Sequence, residues 1–250
     1  MTIVALYSIK GGVGKTAAAV NLAFLAARAG IRTLICDLDP QSSTTFYFRV
    51  KPILKSKLKK VIKGTRALSE SIKATDFDRL DLLPADLSLR NLDLLLDSRS
   101  SRFPLGEILA PLKSEYDLIF LDAPPNLTLL SENIFRVANF VLVPIVPTTL
   151  SERTWEQLNH FFVDQDLARQ KLWGFFSMVD GRKTLHRQTM TSMFAGGGNL
   201  LQSKVPFLSE IERMGLTREP VPHTYPRGHA AQAYLSLWSE LRHRVKKESS

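Results

Sequence analysis

The chain has 250 residues, 44% of them hydrophobic, which supports one sizeable core and excludes a disordered polypeptide. Its 33 Lys and Arg against 24 Asp and Glu leave a net charge of +9, which favours an anionic partner, nucleic acid or an acidic membrane surface. A single cysteine, Cys36, excludes an internal disulfide and a cysteine metal cluster, and no stretch reaches the roughly 18 apolar residues of a membrane span. With no basic-then-apolar leader, the expectation is a soluble protein of a reducing, intracellular compartment.

Residues 2–7 form an apolar, β-rich run, and residues 16–28 a helix of small side chains. Between them lies Lys10-Gly11-Gly12-Val13-Gly14-Lys15-Thr16. Strand, glycine-rich turn and helix make the setting of a phosphate-binding loop. The glycines let backbone N–H groups turn toward an anion with no Cβ in the way. The helix N-terminus adds unpaired donors and a partial positive charge. Lys15 is placed to reach the β- and γ-phosphates of a nucleotide, and the Thr16 hydroxyl to hold Mg²⁺. The standard loop has glycine where Ile9 stands, and a second lysine, Lys10, follows it here.

Gly30 closes this helix, and residues 33–37 read as a buried parallel strand containing Cys36 as a small apolar residue. Asp37-Leu38-Asp39-Pro40-Gln41 follows at its carboxyl end, where open α/β sheets bind ligands. Two carboxylates facing the phosphate loop suit Mg²⁺ and an attacking water, and a turn with an aspartate cap is the plainer alternative. Residues 51–63 hold six lysines and an apolar stripe, a basic helix that is either a solvated face or a binding patch. Residues 80–84 form a strand stopped by Pro84, and residues 87–96 a leucine-rich core helix. Residues 117–122 read as a Walker B strand that delivers Asp122 beside the Mg²⁺ through its water shell. Ala123-Pro124-Pro125 then denies the strand continuation.

Residues 140–146 read as a strand broken by Pro144, and residues 151–167 as a helix with Ser151 as N-cap and Glu152 in its first turn. A strand at 173–179 ends in the turn Asp180-Gly181-Arg182, and a last strand at 200–205 follows three glycines at 196–198. Residues 230–245 form an amphipathic helix with Tyr234, Leu237, Trp238 and Leu241 on one face, and 246–250 a frayed tail. The histidines at 160, 186, 223, 229 and 243 lack metal-ligand spacing and read as surface or cap residues. The expected architecture is one α/β domain over residues 1–250, a doubly wound, mostly parallel sheet of the P-loop type.

The lysine-led loop, the Asp-Leu-Asp-Pro-Gln turn and the Asp122-Ala-Pro-Pro strand end come in family order. Together they resemble the deviant Walker A ATPases of the ParA/MinD superfamily, and the Soj-like ParA partition proteins without an N-terminal helix-turn-helix domain in particular. The resemblance implies an ATP–Mg²⁺ sandwich homodimer in which Lys10 reaches the partner's phosphates. It implies a nucleotide set of Lys10, Gly11, Gly12, Val13, Gly14, Lys15, Thr16 and Ala17, with Pro206 in an adenine-side loop at 206–222. It makes Lys10, Lys15 and Asp39 the catalytic set, with Asp39 orienting the hydrolytic water. Thr16, Asp37 and Asp122 form the metal set. The turn at 180–182 is expected near the base, and residues 147–149 in a switch-side loop.

The same resemblance implies a slow ATPase stimulated by a ParB-like or adaptor partner. Its dimer binds non-specific DNA and positions a cargo, in the cytoplasm and on the nucleoid. Arg187, Arg213, Arg218, Arg227, Arg242 and Arg244 are the DNA candidates by location and charge, with Lys246 and Lys247 beside them and residues 51–63 as the rival site. A MinD-like membrane ATPase would need a C-terminal targeting helix, whereas the aromatic face of the last helix reads as core, so no membrane is expected. A synthetase of the dethiobiotin type would use the same loop beside a small-molecule pocket. An iron–sulfur carrier would need paired cysteines.

Overall fold

The computed structural model describes residues 1–51, 68–85 and 105–248. The strands are β1 (Thr2–Leu6), β2 (Thr33–Asp37), β3 (Lys73–Ala74), β4 (Leu80–Leu83), β5 (Leu118–Asp122), β6 (Phe140–Ile145), β7 (Leu172–Val179) and β8 (Leu200–Pro206). They form one sheet in the order β3-β4-β2-β5-β1-β6-β7-β8, parallel throughout except where β3 pairs with β4. The helices are α1 (Lys15–Arg28), α2 (Ser43–Tyr47), α3 (Leu105–Leu109), α4 (Leu129–Val137), α5 (Thr149–Asp164), α6 (Thr184–Ala195), α7 (Ser209–Glu212), α8 (Met214–Thr217), α9 (Val221–Thr224) and α10 (His229–Glu248). The doubly wound, mostly parallel α/β architecture is the expected one.

Side-chain alternation along β1 shows how the sheet is covered on both faces. Ile3, Ala5 and Tyr7 belong to an apolar layer shared with Ile134 and Phe135 of α4 and Trp155, Leu158 and Phe162 of α5. Val4 and Leu6 belong to the opposite layer, with Leu22 and Phe24 of α1 and Tyr234, Leu237, Trp238 and Leu241 of α10. Strands buried on both faces are continuous apolar runs, which is why β1, β2 and β5 stand out in the sequence. The parallel register then aligns the strand ends: Leu6 pairs with Asp122, and Asp122 with Asp37. Cys36 is buried between them and its thiol is pushed upward by burial, so it packs as a small apolar group.

Several elements differ from expectation. The helix expected from Ser151 begins at Thr149: Thr148 is the cap, its Oγ1 accepting from Ser151 N at 3.3 Å, and Ser151 sits inside the first turn. Pro144 does not break its strand. It pairs in register with Phe175, and β6 has already left β1 at Leu142, so no ladder bond is lost on that side. The last helix runs on to Glu248, through residues expected to fray. Helices α2 to α4 and α6 to α9 and strand β3 were not foreseen. At the start of α4, Thr128 N donates to Ser131 Oγ at 2.8 Å. His186 is buried rather than on the surface, its Nδ1 accepting from Asp180 N at 3.1 Å. The basic helix expected at 51–63 and the leucine-rich helix at 87–96 lie outside the described residues, apart from Lys51.

Candidate nucleotide site

The carboxyl ends of β1, β2 and β5 converge on the glycine loop, as the register requires. Gly12 and Gly14 have φ of 74° and 88°, the left-handed region that residues with a Cβ enter at a cost. A Cβ on Gly14 would also stand 2.8 Å from Ser177 Oγ on β7. Gly14 caps α1 with no side-chain acceptor and no acidic residue in the first turn, so the helix offers its first N–H groups and positive end outward.

Beside this cradle is a cavity of about 430 Å³. Of the expected set, Lys10, Gly11, Gly12, Gly14, Lys15, Thr16, Ala17, Asp39 and Pro206 border it. Val13 is buried behind the loop, on the side of a smaller cleft under α5. Gln41, Ser43, Tyr47, Pro125, Ser177, Met178, Phe207, Leu208, Ile211, Glu212 and Tyr234 line it as well. Phe207, Leu208, Ile211 and Glu212 fall within the 206–222 stretch expected beside the adenine, whereas Ser177, Met178 and Tyr234 carry no motif and are gathered only by the fold of β7 and α10 against α1. Tyr234, expected in the core, is both 2% exposed and part of the lining. Asp180 and Arg182 pair with each other at 3.0 Å, and the lining ends at Met178.

Lys15 is buried, its Nζ donating to Asp122 Oδ1 at 2.7 Å and standing 3.9 Å from Asp39 Oδ2. Asp122 is fully buried, and its other oxygen accepts from Thr44 Oγ1 at 2.7 Å. Asp37 lies behind, accepting from Thr45 N at 2.8 Å, from Thr45 Oγ1 at 2.7 Å and from Asp39 N at 3.2 Å. Burial, and then the charge of Asp122, push Asp37 up to about 7, against the pull of those hydrogen bonds. Asp39 closes its own turn, Oδ1 accepting from Gln41 N at 2.9 Å, which aims Oδ2 toward Lys15. Lys10 is exposed and points away from the cradle, its Nζ donating to Leu150 O at 3.2 Å.

Among the described residues no group of three or more His, Cys, Asp or Glu forms a metal cage. At the loop end of the cavity lie the Thr16 hydroxyl and the Asp39 carboxylate, with Asp122 one layer deeper. That donor set fits Mg²⁺, which keeps most of its waters and binds through one or two protein oxygens plus phosphates.

The six arginines considered for DNA fall into two groups. Arg213, Arg227 and Arg242 are exposed. The other three are engaged within the chain. Arg187 donates to Gly181 O at 2.7 Å and Thr184 Oγ1 at 3.0 Å. Arg244 lies over the Trp173 ring at 3.8 Å and pairs with Glu240 at 3.5 Å. Arg218 donates to Phe46 O at 2.9 Å and covers the Phe46 ring. Lys246 is exposed, and the side chain of Lys247 lies outside the described set.

A family model described as "AAA domain" matches residues 1–171. The sporulation initiation inhibitor protein Soj of Bacillus subtilis is 33% identical over 248 residues, 96% of this chain and 97% of that protein. The crystal structure of cobyrinic acid a,c-diamide synthase from Mycobacterium smegmatis, with bound ATP analog and magnesium, aligns at a TM-score of 0.83 and 26% identity, covering 98% of this chain and 96% of that one. A plasmid partition protein from Borrelia burgdorferi bound to AMPPNP aligns at 0.79 and 21%, covering 97% and 98%, a likeness of fold alone. The cradle, the carboxylate pair behind Lys15, the family match and the full-length similarity to Soj agree: the chain belongs to the AAA-domain family of ParA- and Soj-type partition proteins.

Proposed function

We propose that this chain is an ATP-hydrolysing positioning protein. With ATP it forms a sandwich dimer, binds DNA without sequence preference and releases it when a ParB-like or adaptor partner stimulates hydrolysis. The observation that carries the reading is the buried Lys15 ammonium, held at 2.7 Å by Asp122 at the edge of a glycine cradle. A triphosphate in the cavity offers Lys15 a second anion, so nucleotide binding competes with the Lys15–Asp122 pair. The N–H groups of the loop and of the start of α1 hold the phosphates. Thr16, with Asp122 and Asp37 behind it, holds Mg²⁺, which when bound supplies a hard cation that offsets phosphate charge. Asp39 borders the cavity with one oxygen turned inward, where it orients a water for attack. Phe207, Leu208, Ile211 and Met178 offer apolar surface for a base.

The Lys10 ammonium turns to Leu150 O rather than to the carboxylates behind the loop, which supports a role across a dimer. The buried aromatic face of α10 supports a reading without a membrane, and no described helix is long and apolar enough to cross one. A synthetase is the second reading, favoured by the name of the Mycobacterium smegmatis structure. The test is an electrophoretic mobility shift on random-sequence DNA with ATP and with ADP, beside fluorescent-nucleotide titration of wild type and Lys15→Ala. Wild type should shift DNA with ATP only, with affinity falling steeply as salt rises, and Lys15→Ala should bind no nucleotide. Equal shifts with ADP would sink the switch. A Lys15→Ala chain with wild-type affinity would remove the site.

A further inference from the structure

We propose that Arg218 is a positioning residue of the nucleotide cavity, clamping α2 to a second lining segment that contains Ile211 and Glu212. The proposal rests on the nucleotide reading of the cavity. Helix α2 has five residues, too short to hold its own shape. Yet four of them do something specific. Ser43 and Tyr47 line the cavity, while the Thr44 and Thr45 hydroxyls hold Asp122 and Asp37. The fifth, Phe46, faces outward at 47% exposure.

Arg218 covers that fifth residue. Its Nε donates to Phe46 O at 2.9 Å, a carbonyl in the last turn that also accepts from Arg49 N at 3.1 Å. Its guanidinium lies 4.4 Å from the centre of the Phe46 ring. Arg218 also holds a φ of 54°, at the end of α8 where glycine would be unstrained. The strain is sustained by contacts on either side. Arg218 N donates to Met214 O at 2.8 Å, Glu219 pairs with Arg49 at 3.1 Å, and Val221 N donates to Asn21 Oδ1 of α1 at 2.8 Å. Residues just upstream, Ile211 and Glu212, also line the cavity. One side chain therefore ties two lining segments of the cavity to each other. A DNA contact would need the same guanidinium to leave Phe46.

Lysine keeps the charge but has neither the planar stack nor the Nε donor. Glycine relieves the φ and removes the side chain altogether. In the full chain, Arg218→Lys and Arg218→Gly should each weaken binding of a fluorescent ATP analogue about five- to tenfold. At saturating nucleotide, Arg218→Lys should shift random-sequence DNA as wild type does. Phe46→Leu should weaken nucleotide binding, and the Arg218→Lys/Phe46→Leu double variant should lose less than the product of the single losses. Wild-type nucleotide affinity in Arg218→Lys overturns the clamp, as do independent effects in the double variant. DNA binding lost at saturating nucleotide, with nucleotide affinity intact, assigns Arg218 to DNA instead. A wild-type chain that binds no analogue overturns the nucleotide reading and this proposal with it, whereas variants that match a binding wild type overturn the clamp alone.

Discussion

Lys15 and His186 show how far a side chain's surroundings set its chemistry. Lys15 sits beside carboxylates from two strand ends, and removing Asp122 would strand a buried ammonium, a loss that typically costs about 3–5 kcal/mol. His186 is the opposite case, a buried imidazole that must stay neutral. Its Nδ1 accepts the Asp180 N–H, and burial, then the charge of Lys183, hold its pKa below the usual 6.5. The folded chain therefore binds fewer protons here than the unfolded chain. Stability from this group is complete above 6.5 and is lost as pH falls through the folded pKa. His186→Asn keeps an acceptor but does not titrate. Thermal melts at about pH 7.5 and about pH 5 should show a smaller drop for His186→Asn than for wild type. An unchanged drop would place the acid sensitivity elsewhere.

At the scale of elements, the phosphate loop is a joint between three of them. β1 ends beneath it, α1 begins from it, and β7 touches it through Ser177. Gly14 is where the three meet, so its substitution is doubly penalised. A Cβ at φ 88° costs about 1–2 kcal/mol whatever the space, and the 2.8 Å approach to Ser177 Oγ adds a clash. Gly14→Ala is expected to lower the melting temperature and to abolish nucleotide binding, because the loop amides turn from the cavity. Adding Ser177→Ala removes the clash and leaves the backbone strain. The double variant should recover part of the melting temperature, and calorimetry of both variants measures that part. No recovery would mean that β7 yields freely and Ser177 does not hold the loop.

For the whole molecule, the informative residue is the loop lysine whose ammonium turns to another segment. Lys10 belongs to the loop by sequence, yet its ammonium rests on Leu150 O, at a corner where Leu150 is 65% exposed. An exposed cation beside an exposed leucine, at the mouth of an anion site, suits a second copy bringing its own phosphates. Lys10→Ala should keep ATP binding and remain monomeric with ATP. Light scattering with ATP reads this directly, and a variant that dimerises would end the cross-subunit role. The exposed Arg213, Arg227 and Arg242 are the cations to neutralise when DNA binding is mapped, in preference to the engaged Arg187, Arg218 and Arg244.

What the sequence determined by itself is local and repetitive. Doubly buried strands must be apolar along their whole length, so β1, β2, β5 and β7 were legible. A turn with positive φ favours glycine, so the places of Gly12 and Gly14 in the turn between β1 and α1 were legible. Short or unpatterned elements were not: α2 has five residues and α4 nine, and neither sustains a helical period long enough to read. Only the tertiary structure decided which distant groups meet. The pairing of Asp37 with Asp122 follows from strand register, the approach of Ser177 to Gly14 from the placing of β7, and the burial of His186 from the turn after it. Arg218 shows the difference most plainly. In the sequence it is one positive charge among 33, and charge is all that a lone arginine reports. Its partner, Phe46, is 172 residues away, and a hydrogen bond across that separation exists only once the whole sheet has brought the two segments together.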